Sequence, residues 1–223
     1  FCMGTLYWQL NDSWPVVSWS GIDYYGNWKA MHYRSRDVFK PLTIDIFEEN
    51  GKIGFYTLSD KLEDANNLKM SIELVTFEGK KLKKISKNIR AKANSSEKVF
   101  ELISSDFLSE NQRKTSFMTV KLTDAGNKLI SEELHFFDVP KNLNLPETTI
   151  QTKMRQEDGK ITITLTSKML AKDVFVEISI QGARFSDNFF DLQPNEKKVI
   201  TITSPELKAK GNPAISVKHL RET

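Results

Sequence analysis

From Pro41 onward the hydrophobic residues recur with a period of two, and no other feature of the chain constrains its fold as tightly. Met118, Val120 and Leu122 alternate with Phe117, Thr119 and Lys121, and Ile161, Ile163 and Leu165 alternate with Thr162, Thr164 and Thr166. Val174, Val176, Ile178 and Ile180 share one face, as do Ile200 and Ile202. Turn signals separate these runs: Asn50-Gly51, Glu78-Gly79, Ala125-Gly126 and Asp158-Gly159. Asn-Gly and Asp-Gly pairs supply the positive φ that tight hairpins demand. Short alternating strands with a turn every ten residues or so predict antiparallel β-sandwiches. Two are expected, over 41–140 and 147–223, joined by the proline-bounded linker Pro140–Pro146. The second is short for a sandwich and is expected to lean on its neighbour for part of its core.

Residues 1–40 are different. They hold all four tryptophans and four of the five tyrosines. Gly4 to Leu10 reads as a strand buried on both faces, and Asn11 to Gly26 as a polar, aromatic loop. Trp28, Met31, His32, Ser35, Val38 and Phe39 then follow helical spacing, with Asn27 as N-cap and Pro41 as the stop. A single strand-loop-helix unit cannot bury its own faces, so it belongs to a larger α/β body. Without one, Leu6, Trp8, Trp28 and Met31 lack partners, and the segment is expected to be disordered, to pack on a sandwich or to pair with another copy.

Composition excludes more than it identifies. The 223 residues are 39% hydrophobic and 27% charged, as in ordinary folded domains, and a net charge of +3 offers no basic stripe for nucleic acid. Cys2 stands alone, and His32, His135 and His219 are scattered, so neither a disulfide nor a metal site is expected, nor any cofactor. No apolar run reaches the length of a membrane span. The opening Phe1-Cys2-Met3 reads as the edge of a segment of a longer protein, with any localisation signal lying elsewhere.

The stretch Gly4–Pro15, GTLYWQLNDSWP, continues through SWSGIDYYGNWKAMHYRSR to about Arg34. It closely resembles the end of the catalytic domain in β-mannosidases of glycoside hydrolase family 2. A second segment, FSDNFFDLQPNE at Phe185–Glu196, is similar to part of that family's C-terminal immunoglobulin-like domain. The resemblance implies a mainly β chain, with two immunoglobulin-like β-sandwiches preceded by a βα remnant of a TIM barrel. Residues 1–40 would be the last βα unit of a (β/α)8 catalytic barrel, followed by sandwiches at 41–140 and 147–223. The implied parent is a retaining hydrolase of terminal β-linked mannose, with a mannose-containing oligosaccharide as partner and a periplasmic, secreted or lysosomal location. Its two catalytic glutamates would precede Phe1, so no catalytic residue is assigned here and the segment alone is expected to be inactive.

TIM-barrel sites form at the C-terminal ends of the strands, which makes Trp8 the first candidate for the wall of the terminal mannose subsite. Asn11, Asp12 and Trp14 follow as pocket residues or their supports. A sugar offers an apolar face and a rim of hydroxyls, which suits an indole flanked by amide and carboxylate. Plainer readings compete. Trp14, before Pro15, could simply order its loop, and Trp19 and Trp28 read as core. The triplets Asn11-Asp12-Ser13 and Asn94-Ser95-Ser96 match the glycosylation pattern, which is frequent by chance. The run Lys80, Lys81, Lys83, Lys84, Lys87, Arg90 and Lys92 reads as a solvated edge strand, and Glu48-Glu49 and Glu132-Glu133 as surface charge. Phe185, Asp187, Phe189, Phe190 and Asp191 could form a sugar patch but read as sandwich closure and turn caps. Residues 41–223 could be a carbohydrate-binding module or purely structural.

Overall fold

The computed structural model describes residues 4–157, 159–208 and 213–222. Cys2 and Asp158, used above, lie outside the described residues. The chain divides into two compact units, Phe39–Pro146 and the pair of segments Phe1–Val38 with Glu147–Thr223. Its first regular element is helix α1 (Ala30–Val38).

The unit at 39–146 contains β1 (Leu42–Glu49), β2 (Lys52–Ser59), β3 (Ala65–Thr76), β4 (Lys81–Ala91) and β5 (Ser95–Ile103), the short helices α2 (Ser104–Phe107) and α3 (Glu110–Thr115), then β6 (Ser116–Thr123) and β7 (Leu129–Phe136). They form a three-stranded sheet, β1-β2-β5, and a four-stranded sheet, β4-β3-β6-β7, all antiparallel. The β1–β2 hairpin turns at Asn50 (φ 52°) and Gly51 (φ 74°), two consecutive left-handed residues of the kind the sequence signals. Ile44, Ile53, Phe55, Met70, Ile72, Leu74, Met118 and Val120 fill the core.

Strand β4 lies at the edge of its sheet, as its lysines predict, and Lys81 and Lys84 both pair with Glu73 at 2.8 Å. Glu48 departs from the expectation of plain surface charge. It takes a two-pronged contact from Arg113 (2.9 Å at each oxygen) and a third bond from Ser104 at 2.7 Å. Burial pushes its carboxyl up, but the bonds from Arg113 and Ser104 outweigh that and hold it below the usual range. Sequence gave no sign of this, because Arg113 arrives from α3, 65 residues away.

The second sandwich contains β8 (Gln151–Glu157), β9 (Lys160–Thr166), β10 (Ala171–Ile178), β11 (Arg184–Phe185), β12 (Phe190–Leu192), β13 (Lys197–Thr203) and β14 (Ile215–Lys218). These make the sheets β11-β13-β9-β8 and β12-β10-β14. Ile161, Ile163, Leu165, Val174, Val176, Ile200 and Ile202 are fully buried, each on the face that the alternation assigns to it.

The N-terminal segment differs from expectation in three ways. Residues 4–10 form no strand, because among the described residues no strand pairs with them; Leu6 is fully exposed and Trp8 is 75% exposed. Helix α1 begins at Ala30, so Asn27 is not its N-cap. The helix buries Tyr33 (3% exposed), whereas Met31, Val38 and Phe39 remain exposed. The helical spacing picked the wrong stripe, since the contact surface is aromatic and partly polar rather than aliphatic. Trp19, read as core, is 73% exposed. Of the three fates open to this segment, packing on a sandwich is the one observed: Tyr33 lies 5.9 Å from Phe189, which itself stacks on Phe175 at 4.8 Å.

Candidate functional site

Between Gln9 and Lys29 the chain folds back on itself and is stapled at Gly21 and Ile22. Gly21 N and Ile22 N donate to the carbonyls of Gln9 and Leu10 (3.0 and 2.9 Å), and Asp12 N donates to Ile22 O (3.0 Å). Lys29 N then donates to Gly21 O at 2.9 Å, so one short segment is held from both sides. The result is an irregular but thoroughly hydrogen-bonded loop.

Asp12 sits at its centre. Its side chain is entirely buried, and its two oxygens accept from the Ser18 hydroxyl (2.5 Å) and the Lys29 ammonium (3.0 Å). Lys29 also donates to Ser20 Oγ at 2.7 Å, and the Ser20 hydroxyl donates to Ile22 O at 2.9 Å. The Ser18 bond, seconded by Lys29 and Ser20, holds the Asp12 carboxyl below the usual range against the cost of burial. A buried carboxylate is tolerable only when paired and hydrogen-bonded, and both conditions are met here.

The other three predicted site residues lie outward. Trp8 and Trp14 are 75% and 64% exposed, and Asn11 is exposed with its amide donating to Asp12 O at 3.2 Å. Asp12 is therefore internal to the loop, while Trp8, Asn11 and Trp14 are presented by it. A cavity of about 590 Å³ lies between residues 23–30 and strand β10, lined by Trp28, Phe175, Glu177, Ser179 and Phe189 among others. None of the four predicted residues lines it. Lys29, Ser18 and Ser20 escaped sequence reasoning. The available signal was the placement of Lys29 in an aromatic stretch that also carries Asp12 and Asp23.

A second set of contacts fastens this segment to the sandwich at 147–222. Arg36 donates to Ser186 O (2.6 Å) and to Asp187 Oδ1 (2.9 Å), while Lys198 pairs with the other Asp187 oxygen at 2.6 Å. Arg184 lies over the Trp28 ring at 5.3 Å and donates to Gly26 O. Burial pushes the Tyr33 hydroxyl up to about 12. Asp187 and Asp191 thus serve as ion-pair and turn partners; Asp191 accepts from Asp173 N (2.9 Å) beside Lys172, and burial pushes its carboxyl up. Among the described residues no cluster of three or more histidine, cysteine or carboxylate side chains could hold a metal, and no helix is long and apolar enough to cross a membrane.

Residues 51–142 match the family described as the mannosidase Ig/CBM-like domain, and residues 145–223 match the Ig-fold domain family Ig_mannosidase. The β-mannosidase of Mus musculus is 28% identical over 228 residues, covering 99% of this chain and 26% of that protein. β-Mannosidase A of Neosartorya fischeri is 26% identical, covering 92% and 23%. The crystal structure of β-D-mannosidase from Dictyoglomus thermophilum superposes with a TM-score of 0.72 at 28% identity, over 96% of this chain and 26% of that one. The exo-chitosanase CsxA of Amycolatopsis orientalis (TM-score 0.68, 16% identity, 96% and 29% coverage) shares the fold. The chain spans about a quarter of the length of the curated relatives it matches. With two mannosidase-type immunoglobulin-like domains matched in succession and β-mannosidase relatives aligned along nearly its whole length, the chain is similar to one region of the glycoside hydrolase family 2 β-mannosidases.

Proposed function

We propose that this chain forms part of a retaining β-mannosidase that removes terminal β-linked mannose, and that it contributes a wall of the sugar pocket and supporting sandwiches but neither catalytic carboxylate. Residues 1–40 are the last strand-loop-helix unit of the catalytic barrel, whose strand gains partners only from the other barrel strands. Retaining hydrolysis uses two carboxyl groups about 5–5.5 Å apart, one as nucleophile and one as acid/base. Both come from the part of the enzyme outside this chain.

The observation that carries this reading is the pairing of exposed Trp8 and Trp14 with a loop locked from beneath by Asp12, Ser18 and Lys29. Large aromatic faces in water are costly unless they have something to bind, and rigid mounting is what a stacking platform needs. Trp8 stacks on the apolar face of mannose, Asn11 and Trp14 border it, and Asp12 holds the loop. Residues 41–223 act mainly as structural sandwiches.

The test is hydrolysis of an aryl β-mannoside. The longer protein carrying this segment is expected to turn it over, and the 223-residue chain alone is not. In the longer protein, Trp8→Ala should lower kcat/KM roughly tenfold to a hundredfold, equivalent to about 1.4–2.8 kcal/mol of transition-state stabilisation. Turnover by the isolated chain, or an indifferent Trp8→Ala enzyme, would overturn the reading. A second reading, that the sandwiches bind carbohydrate, is favoured by the Ig/CBM-like character of residues 51–142. Retardation of the isolated chain in a mannan-containing gel would support it.

A further inference from the structure

The loop that presents Trp8 and Trp14 is held at two levels. The inner level is the Asp12–Ser18–Lys29 cluster. The outer level is a set of contacts from the sandwich at 147–222 to the turn Asp23–Asn27, immediately before Lys29. We infer that Asn27 and Arg184 are positioning residues through which this sandwich sets the geometry of the sugar-facing loop.

Asn27 is the joint. Its side-chain oxygen accepts from Gly182 N at 3.0 Å, while its amide nitrogens donate to both Asp23 oxygens, the backbone N at 2.8 Å and Nδ2 at 2.9 Å. Asp23 N donates back to Asn27 O at 2.9 Å, closing the turn. Three polar atoms of Asn27 therefore close the turn on Asp23, and the fourth, Oδ1, ties it to the sandwich. Arg184 clamps the same turn from the side, donating to Gly26 O and covering the Trp28 ring at 5.3 Å. The approach is close enough to require glycine: Gly182 has φ +67°, and a Cβ there would meet Tyr25 O at 3.1 Å.

Lys29 follows directly. Its backbone N is bonded to Gly21 O and its ammonium to Asp12 and Ser20, so a shift of the 26–28 backbone is transmitted to the inner cluster within one residue. A displacement of about 1 Å at a platform is enough to cost a large factor in productive binding. Arg184 and Gly182 thereby make the sandwich a working part of the site. The catalytic consequence rests on the mannose-pocket reading above; the mechanical one does not.

The two are tested separately. In the 223-residue chain, Asn27→Ala and Arg184→Ala are expected to speed amide hydrogen exchange at Asp12, Gly21, Ile22 and Lys29 by at least tenfold, while Ile163 and Ile200 in the sandwich core keep their protection and report an intact fold. Arg184→Lys keeps the charge but loses the flat stack, and should fall between wild type and Arg184→Ala. In the longer protein the same substitutions should raise KM for an aryl β-mannoside severalfold with a smaller change in kcat. Unchanged exchange at all four amides in both alanine variants would overturn the inference. Faster exchange with an unaltered KM would uphold the mount and sink the sugar-pocket reading instead.

Discussion

Asp12 shows how a residue can be singled out from sequence while its partners stay hidden. Between the two roles open to it, pocket residue or support, its oxygens being taken by Ser18 and Lys29 favours the support of the loop. Its charge state follows. A carboxyl held below its unfolded value contributes stability that is present above the unfolded pKa and lost as pH falls through the folded one. The loop should therefore stay closed down through the ordinary aspartate range near pH 3.9 and open only below it. A carboxyl-carbon NMR titration of the chain should find Asp12 titrating below exposed aspartates. Ser18→Ala and Lys29→Met should each move that midpoint up, because the Ser18 bond and then the bond and charge of Lys29 hold it down. An Asp12 midpoint in the ordinary range would contradict the buried cluster. The partners were not legible in the sequence, since Lys29 lies 17 residues from Asp12 and nothing local links them.

At the scale of elements, legibility tracked periodicity. A strand buried on one face must alternate, and a register error would turn every apolar side chain to solvent, so β6, β9, β10 and β13 could be read directly from sequence. The two sides of one strand pair make this quantitative. Ile163 on β9 is fully buried, whereas Val199 on β13, opposite Thr164, is 51% exposed. Ile163→Ala is expected to cost about 2–5 kcal/mol in equilibrium denaturation, and Val199→Ala within about 0.5 kcal/mol. Similar costs for the two would mean that the faces are not as assigned. Where the contact surface was not aliphatic, the same reasoning failed. Helix α1 buries Tyr33 and spends Arg36 on Asp187, and an amphipathic pattern built on Met31, Val38 and Phe39 cannot see such a face. Residues 4–10 failed for another reason: strand formation needs a partner that no local pattern supplies.

At the scale of the molecule, the division of the chain follows contact rather than sequence order: residues 1–38 group with 147–223, although residues 39–146 intervene in the sequence. The sequence predicts that the short last sandwich leans on the neighbouring sandwich; within its own unit it is covered by Tyr33, Trp28 and the ion pair of Arg36 with Asp187. Removing residues 1–38 should then act on one unit and spare the other. Returning a large aromatic contact to water costs roughly 1.5–3 kcal/mol per side chain, so the sandwich at 147–223 should unfold at lower denaturant in a chain that begins at Phe39. The core around Phe55, Met70 and Val120 is built from residues between Ile44 and Phe137 and should keep its midpoint. Hydrogen exchange along a urea series, read separately at Ile163 and at Ile72, distinguishes the two responses. Equal destabilisation at both positions would show that the units unfold together, and no change at either would show that residues 1–38 lend the sandwich no stability. The expected asymmetry, loss at Ile163 with Ile72 unmoved, would mean that the segment carrying the exposed Trp8 and Trp14 and the last sandwich stabilise each other, so that whatever loosens one loosens the other.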